Sequence, residues 1–333
     1  MRLDPAVVAA PIHGLTGKTI AVTGASGFIG GALVKRLTRL DCTIIRVSRA
    51  ESPGLMGSGP ASITDVRGDV GDRAVWDRLG HADVIFHCAA QTSAAVAAQD
   101  PSQDFRSNVV PMQQLLARCR ERARRPIVVF AGTVTQVGIA ARIPVNEDAA
   151  DQPVTIYDRH KLMAEDELKS AAAAGLVRGV SLRLPNVYGP GAHVRSGDRD
   201  VMNRMIRAAM RGETLTVYGA GDYLRDYVFI DDAVLAFLMA AACPDEVNGR
   251  HFVIATGQGH TIAEAFRKIT ARVEAKCGRR VAVASEPGWP LTAIEQRQFV
   301  GDASRFTAAT GWSPSCILEQ GIDRTIEAYQ CES

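Results

Sequence analysis

Thr19-Ile20-Ala21-Val22-Thr23-Gly24-Ala25-Ser26-Gly27-Phe28-Ile29-Gly30 is the stretch that decides the architecture of this chain. A short apolar run reads as a buried strand, and three glycines follow where that strand must turn into a helix continuing through Ala32-Leu33-Val34-Lys35-Arg36-Leu37. Gly24 suits the tight turn, Gly27 the close approach of backbone to a pyrophosphate, and Gly30 the packing of helix on strand. The amides of the helix N-terminus then face phosphate, where the macrodipole favours negative charge. A second strand, Cys42-Thr43-Ile44-Ile45-Arg46-Val47, completes the strand-turn-helix-strand context that a dinucleotide-binding turn requires. Gly24, Ser26, Gly27, Phe28, Ile29 and Gly30 are the candidate contacts at this turn.

The end of the second strand discriminates between cofactors. A carboxylate there would bond the ribose 2′-hydroxyl of NAD, whereas a basic residue accommodates the 2′-phosphate of NADP. The chain has Ser48-Arg49 and no carboxylate before Glu51. Both side chains can donate to phosphate oxygens, which favours NADP, with NAD as the alternative.

Strands and helices alternate along the chain as a doubly wound α/β sheet demands. Strands are expected near Ser62 to Val66, Ala82 to His87, Ile127 to Ala131 and Gly179 to Leu184, and helices over about Ser102 to Arg122 and about Val154 to Ala174. The segment from Pro185 to Asp200 is rich in Gly, Pro and charge and reads as a long functional loop. Beyond it come helix Val201 to Arg211, Thr214 to Tyr218 and an apolar helix Ala233 to Ala242. The expected organisation is a Rossmann-type doubly wound parallel sheet over 16–185, with a later return near 226–256. A smaller substrate-binding α/β region takes 186–225 and 257–330.

With 333 residues there is ample length for a core, and a net charge of +2 argues against nucleic-acid or membrane-surface partners. No stretch has the length and apolarity of a membrane span, and no leader is evident from Met1 to Gly14, so a cytoplasmic location is expected. The seven cysteines have no paired spacing of the metal or redox kind, and no metal is expected. The cluster Arg120, Arg122, Arg124 and Arg125 suits a solvated helix C-terminus.

Tyr157-Asp158-Arg159-His160-Lys161 places a tyrosine and a lysine four residues apart, on one face of a helix. A neighbouring ammonium favours the phenolate, so Lys161 is expected to lower the Tyr157 pKa towards working conditions.

The Gly24 turn, His87-Cys88-Ala89-Ala90, Asn108-Val109, Tyr157 with Lys161, Asn186-Val187-Tyr188-Gly189-Pro190-Gly191 and Arg225-Asp226-Tyr227-Val228-Phe229-Ile230-Asp231-Asp232 occur in that order. By these segments the chain resembles the extended short-chain dehydrogenases/reductases of the nucleotide-sugar epimerase/dehydratase family, from about Gly17 to Tyr329. The resemblance implies an NAD(P) cofactor, with Asp69 and Val70 at the adenine and Ala89, Ala90 and Pro185 along the cofactor, where Lys161 also holds the nicotinamide ribose. It implies a catalytic triad of Tyr157, Lys161 and Thr133, the last in Gly132-Thr133-Val134-Thr135, with Thr135 as the fallback should the loop register shift. It implies a nucleotide-diphosphate sugar as substrate, met by Gln91, Thr92, Asn186, Thr216, Tyr218, Arg225 and Arg297. His193, Arg195 and Arg204 are read as solvated, and His87 as a core residue. A homodimer is implied too, through the helix near Ser102 to Arg122 and the Tyr157 helix.

The family's 4,6-dehydratases follow the triad threonine with an Asp-Glu pair, and its decarboxylases typically carry a glutamate there. This chain has Val134 and Thr135, which cannot serve as acid and base at neutral pH. A 4-epimerase working through a transient 4-keto sugar needs only the triad and cofactor, and is the expected activity. The alternatives are an NADPH-dependent reductase of a nucleotide-linked 4-keto sugar and, outside enzymes, a cofactor-sensing regulator, which would have no use for an activated phenolate.

Overall fold

A computed structural model describes residues 13–49, 59–122, 124–191 and 201–331. Its strands in chain order are β1 (Thr19–Thr23), β2 (Thr43–Ser48), β3 (Ser62–Arg67), β4 (Val84–His87), β5 (Ile127–Thr133), β6 (Arg178–Leu184), β7 (Asn186–Tyr188), β8 (Leu215–Tyr218), β9 (Leu224–Phe229), β10 (Arg250–Val253), β11 (Gly259–Thr261) and β12 (Val283–Glu286). Seven of them make a wholly parallel sheet in the order β10-β6-β5-β4-β1-β2-β3. The chain runs outward from β1 in one direction and from β4 in the other, so the crevice between these neighbours is the topological switch point at which such sheets bind ligands.

Successive residues of the inner strands enter opposite cores, as a parallel sheet covered on both faces requires. Ile20, Val22, Ile44, Val84, Phe86 and Val129 pack into one cluster, and Ala21, Ile45, Val47, Ile85, Val128 and Phe130 into the other. The outer strand β3 is largely exposed, which its polar sequence Ser62-Ile63-Thr64-Asp65-Val66-Arg67 tolerates. Helices Phe28–Leu37, Arg73–Leu79 and Ile156–Ala173 carry the chain between parallel strands. A smaller sheet, β11-β9-β7, and the parallel pair β12-β8 follow from the second half of the chain.

The long helix expected over Ser102 to Arg122 is instead two, Pro101–Asn108 and Val110–Arg122, meeting at Val109. Pro111 has no N–H to give and its ring opposes the carbonyl four residues earlier, so one continuous helix is broken there. The helix expected from Ala233 starts three residues earlier, at Ile230. Among the described residues no helix is long and apolar enough to cross a membrane.

Candidate functional site

The carboxyl ends of β1, β2, β4, β5 and β6 share one edge of the sheet, and the sequence-selected residues collect along it. Gly24 has φ +67°, and a Cβ there would come within 2.8 Å of the Ala89 amide nitrogen, so the turn after β1 and the strand end after β4 touch backbone to backbone. The Ala25 N–H donates to the Val47 carbonyl at 3.1 Å, tying this turn to β2. A Cβ on Gly30 would overlap the Gly24 carbonyl. The Phe28–Leu37 helix starts at Gly27 with no side-chain cap and no acidic residue in its first turn. Its orphan amides thus face the crevice as a ready anion site, and the residues present fit the diphosphate of a dinucleotide.

Ser48 ends β2 with Arg49 exposed beyond it, and Ser48 is the register partner of Arg67 on β3. Arg67 Nε donates to the Arg49 carbonyl at 3.3 Å, so two guanidinium groups stand at this corner. Asp69 Oδ1 accepts from the Gly71 amide at 2.8 Å, and the Val70 carbonyl accepts from Trp76 Nε1 at 2.6 Å, which fixes the loop after β3. The Ala89 amide donates to Thr23 Oγ1 at 3.1 Å, and Ala90 follows it along the edge. Pro185, half-buried, leaves β6 beside Thr133, since Thr133 and Leu184 are register partners.

Thr133, at the end of β5, caps a short 3₁₀ turn, Val134–Val137. Its hydroxyl lies 3.0 Å from that of Thr135, and it favours the ionised form of the Tyr157 phenol. Tyr157 and Lys161 sit on one side of the Ile156–Ala173 helix, whose capping box pairs Thr155 Oγ1 with the Asp158 amide at 3.0 Å and Asp158 Oδ2 with the Thr155 amide at 3.1 Å. Lys161 is buried, with Nζ 3.9 Å from the centroid of the Phe130 ring. His87 lies in the sheet, its Nδ1 2.8 Å from Thr23 Oγ1 and its ring stacked on Phe130 at 5.7 Å.

The expectation that Lys161 pulls the Tyr157 phenol down is overturned in the free protein. Burial raises the phenol above its ordinary value, and the carboxylates of Asp158 and Asp104 raise it further, against the hydrogen bond from Thr133. Burial also lowers Lys161 to about 7, so at neutral pH it carries only part of a positive charge.

On the substrate side, Asn186 opens β7 with its side chain exposed, paired in register with Tyr227 of β9. Arg225 of β9 donates to the Glu295 carbonyl at 2.7 Å and to those of Leu224 and Arg297, so its guanidinium fastens the 295–297 loop rather than standing open. Arg297 reaches the catalytic turn, donating to Asp158 Oδ2 at 3.1 Å and to the Thr135 carbonyl at 3.4 Å, and its buried Nε has no partner. Thr216 and Tyr218 lie on β8, and the exposed Tyr218 ring meets the equally exposed Trp289 at 5.0 Å between centroids. Thr92 is exposed, but the Gln91 amide is engaged internally: Nε2 donates to Asp104 Oδ1 at 2.7 Å and to the Ser93 carbonyl at 2.9 Å, so this side chain secures its loop and offers no free donor to a sugar. Arg204 is exposed, whereas His193 and Arg195 lie outside the described residues. Sequence reasoning missed Asp158, Arg67 and Trp289. Only Asp158 had a local signal, the Thr155-x-x-Asp158 capping pattern.

The family model described as "NAD dependent epimerase/dehydratase family" matches residues 20–255. A UDP-glucose 4-epimerase of Mycolicibacterium smegmatis is 29% identical, over 94% of this chain and 98% of that protein. A dTDP-4-dehydro-6-deoxyglucose reductase of Escherichia coli is 22% identical, over 94% of this chain and 98% of its own. The crystal structure of a UDP-glucose 4-epimerase with UDP-glucose from Thermotoga maritima superposes with a TM-score of 0.83 at 26% identity, covering 94% of this chain and 99% of that one.

Proposed function

The chain belongs to the NAD dependent epimerase/dehydratase family, and on that premise we propose that it is a nucleotide-sugar 4-epimerase acting through a transient 4-keto sugar. The observation that carries this reading is Thr133 at the end of β5 acting on the Tyr157 phenol, with Lys161 one helical turn on and Val134 and Thr135 in place of an elimination acid and base. NAD(P), when bound, supplies reversible hydride acceptance and, in its oxidised form, a positive charge that favours the phenolate. Tyr157 takes the proton of the C4 hydroxyl and later returns it. Thr133 aligns that hydroxyl, and Lys161 holds the cofactor ribose and tunes the phenol. Arg297, with its unpartnered Nε, and Arg225, once it exchanges carbonyls for phosphate oxygens, hold the diphosphate, while Asn186, Thr216 and Tyr218 border the rest of the ligand. On this reading residues 186–225 and 257–330 form the substrate-binding region.

The test is incubation with a panel of UDP-, GDP-, CDP- and dTDP-sugars, following the anomeric and C4 protons by NMR and NAD(P)H by absorbance. A C4 epimer should form with no net absorbance change, and Tyr157→Phe should slow it by about 10²–10⁴. Stoichiometric NADPH loss with a 4-keto sugar, and no epimer from any unoxidised one, would replace the proposal with the second reading, a 4-keto reductase. Two features favour that reading: burial and the Asp158 and Asp104 carboxylates, which raise the Tyr157 phenol and so suit an acid, and the guanidinium groups beside Ser48. The same corner supports a preference for NADP. Arg49→Ala should weaken NADP binding by about 1–3 kcal/mol and NAD binding far less. Equal losses in titration calorimetry would make Arg49 a solvated loop charge.

A further inference from the structure

Between Tyr157 and Lys161 in sequence stands His160, whose Nδ1 lies 2.6 Å from Asp104 Oδ2 on the Pro101–Asn108 helix. The Asp104 side chain is wholly buried, and its other oxygen accepts from Gln91 Nε2 at 2.7 Å and Asn108 Nδ2 at 2.9 Å. Asn108 Nδ2 also donates to the Gln91 carbonyl at 3.0 Å. This chain of bonds stitches the loop following Ala89 and Ala90 to the helix that carries the proton-handling pair. The Phe105 ring, 5.4 Å from that of His160 and edge-on to it, closes the contact.

The other carboxylates near the pair carry strong cations of their own, although Glu165 still favours the Lys161 ammonium ahead of Asp104. Glu165 is bonded by Arg183 at 2.6 Å and by Lys169 at 2.6 Å, and Asp158 by Arg297 at 3.1 Å. His87 and Cys88, which face Lys161 from β4 and the residue after it, are neutral at neutral pH, because burial moves them to about 3 and about 12. Asp104 differs: its hydrogen-bond partners are two amides and one imidazole. A carboxylate in low-dielectric surroundings acts over several ångströms, favouring an ammonium on Lys161 and opposing a phenolate on Tyr157.

We propose that Asp104 is a buried counter-charge of Lys161 alongside Glu165 and that His160 holds it in place, a positioning pair that acts on the reaction through Lys161 and Tyr157. The inference rests on the reading of Tyr157 and Lys161 as the proton-handling groups. Its first test needs no substrate. NMR of protein carrying ¹³Cε-lysine, with the Lys161 signal assigned by its loss in Lys161→Met, follows the Lys161 titration directly. In Asp104→Asn, which keeps the shape and removes the charge, that titration should move to lower pH by about half a unit or more. An unmoved titration in a folded Asp104→Asn protein overturns the proposal. Should Asp104→Asn not fold, His160→Phe, which keeps a ring but lacks the donor, should move the Lys161 titration and His160→Asn should restore it. No movement in His160→Phe, or no restoration, equally overturns it. Turnover separates the two claims: in the Asp104→Asn enzyme the kcat profile should shift towards acid in step with the NMR titration, with KM for the nucleotide sugar unchanged within about twofold. A Tyr157→Phe enzyme at the wild-type rate would sink the reading of the site and leave the NMR result standing. An inactive Tyr157→Phe together with an unmoved Lys161 titration would sink only the positioning pair.

Discussion

Gly27 and Gly30 stand in one turn, but an added side chain would meet different things. At Gly27 the backbone is extended, with φ −83°, and a Cβ comes no closer than 3.1 Å to the Gly24 oxygen, whereas at Gly30 it overlaps that carbonyl. Gly27→Val is expected to stay folded and lose its dinucleotide, whereas Gly30→Val should also lose about 1–3 kcal/mol of stability. Cofactor released on denaturation and urea midpoints of the two variants check this, and a Gly27→Val protein that retains cofactor would remove the basis for the phosphate assignment. Lys161 gives a pH-dependent counterpart. Its folded value of about 7 lies below its ordinary 10.5, so between those limits the unfolded chain binds the extra proton and stability rises with pH. The penalty for burying this lysine is fully present below about pH 7 and gone above about pH 10.5. Lys161→Met should therefore be inactive yet more stable than wild type near pH 6, by about 1–3 kcal/mol, with the gain shrinking towards pH 10. Melting temperatures at both pH values would show it, and an equal difference at both would refute the sign.

Within the Ile156–Ala173 helix, the Thr155 and Asp158 cap and the Glu165 cluster pin opposite ends of the catalytic face. Glu165 is wholly buried, yet hydrogen bonds and charge from Arg183 outweigh the cost of burial and hold its carboxyl at about 2. The cap is worth testing separately, because Asp158 also anchors Arg297. Thr155→Ala should cost about 1 kcal/mol in urea unfolding. A variant as stable as wild type would show that tertiary contacts alone hold the helix start. This cap was legible in the sequence, being a local pattern of four residues. The break at Val109 was legible as well, from Pro111 and the poor helix formers Ser107, Asn108, Val109 and Val110 before it.

Across the molecule, the Pro101–Asn108, Val110–Arg122 and Ile156–Ala173 helices pack side by side on one face of the sheet. We propose this face as the contact between two copies, and light scattering at micromolar concentration should return the mass of two chains. A monomer would count against it. The central sheet was readable from the sequence because most of its strands are short apolar runs and each glycine answers a backbone demand only a few residues long. The Tyr157 and Lys161 spacing was readable for the same reason, since one helical turn sets it. Nothing local announces that Arg297 meets Asp158, 139 residues away, that Arg225 is engaged by backbone carbonyls, or that Gln91 turns inward to Asp104. The direction of the Tyr157 shift belongs only partly with these: burial raises it first, then the adjacent carboxylate of Asp158, and then that of Asp104, 53 residues earlier. Local pattern determines which backbone forms where, through forces that act over a turn or a strand. Which charges face each other, and how dry they are, is decided by packing between segments distant in the chain, and only the tertiary structure contains it.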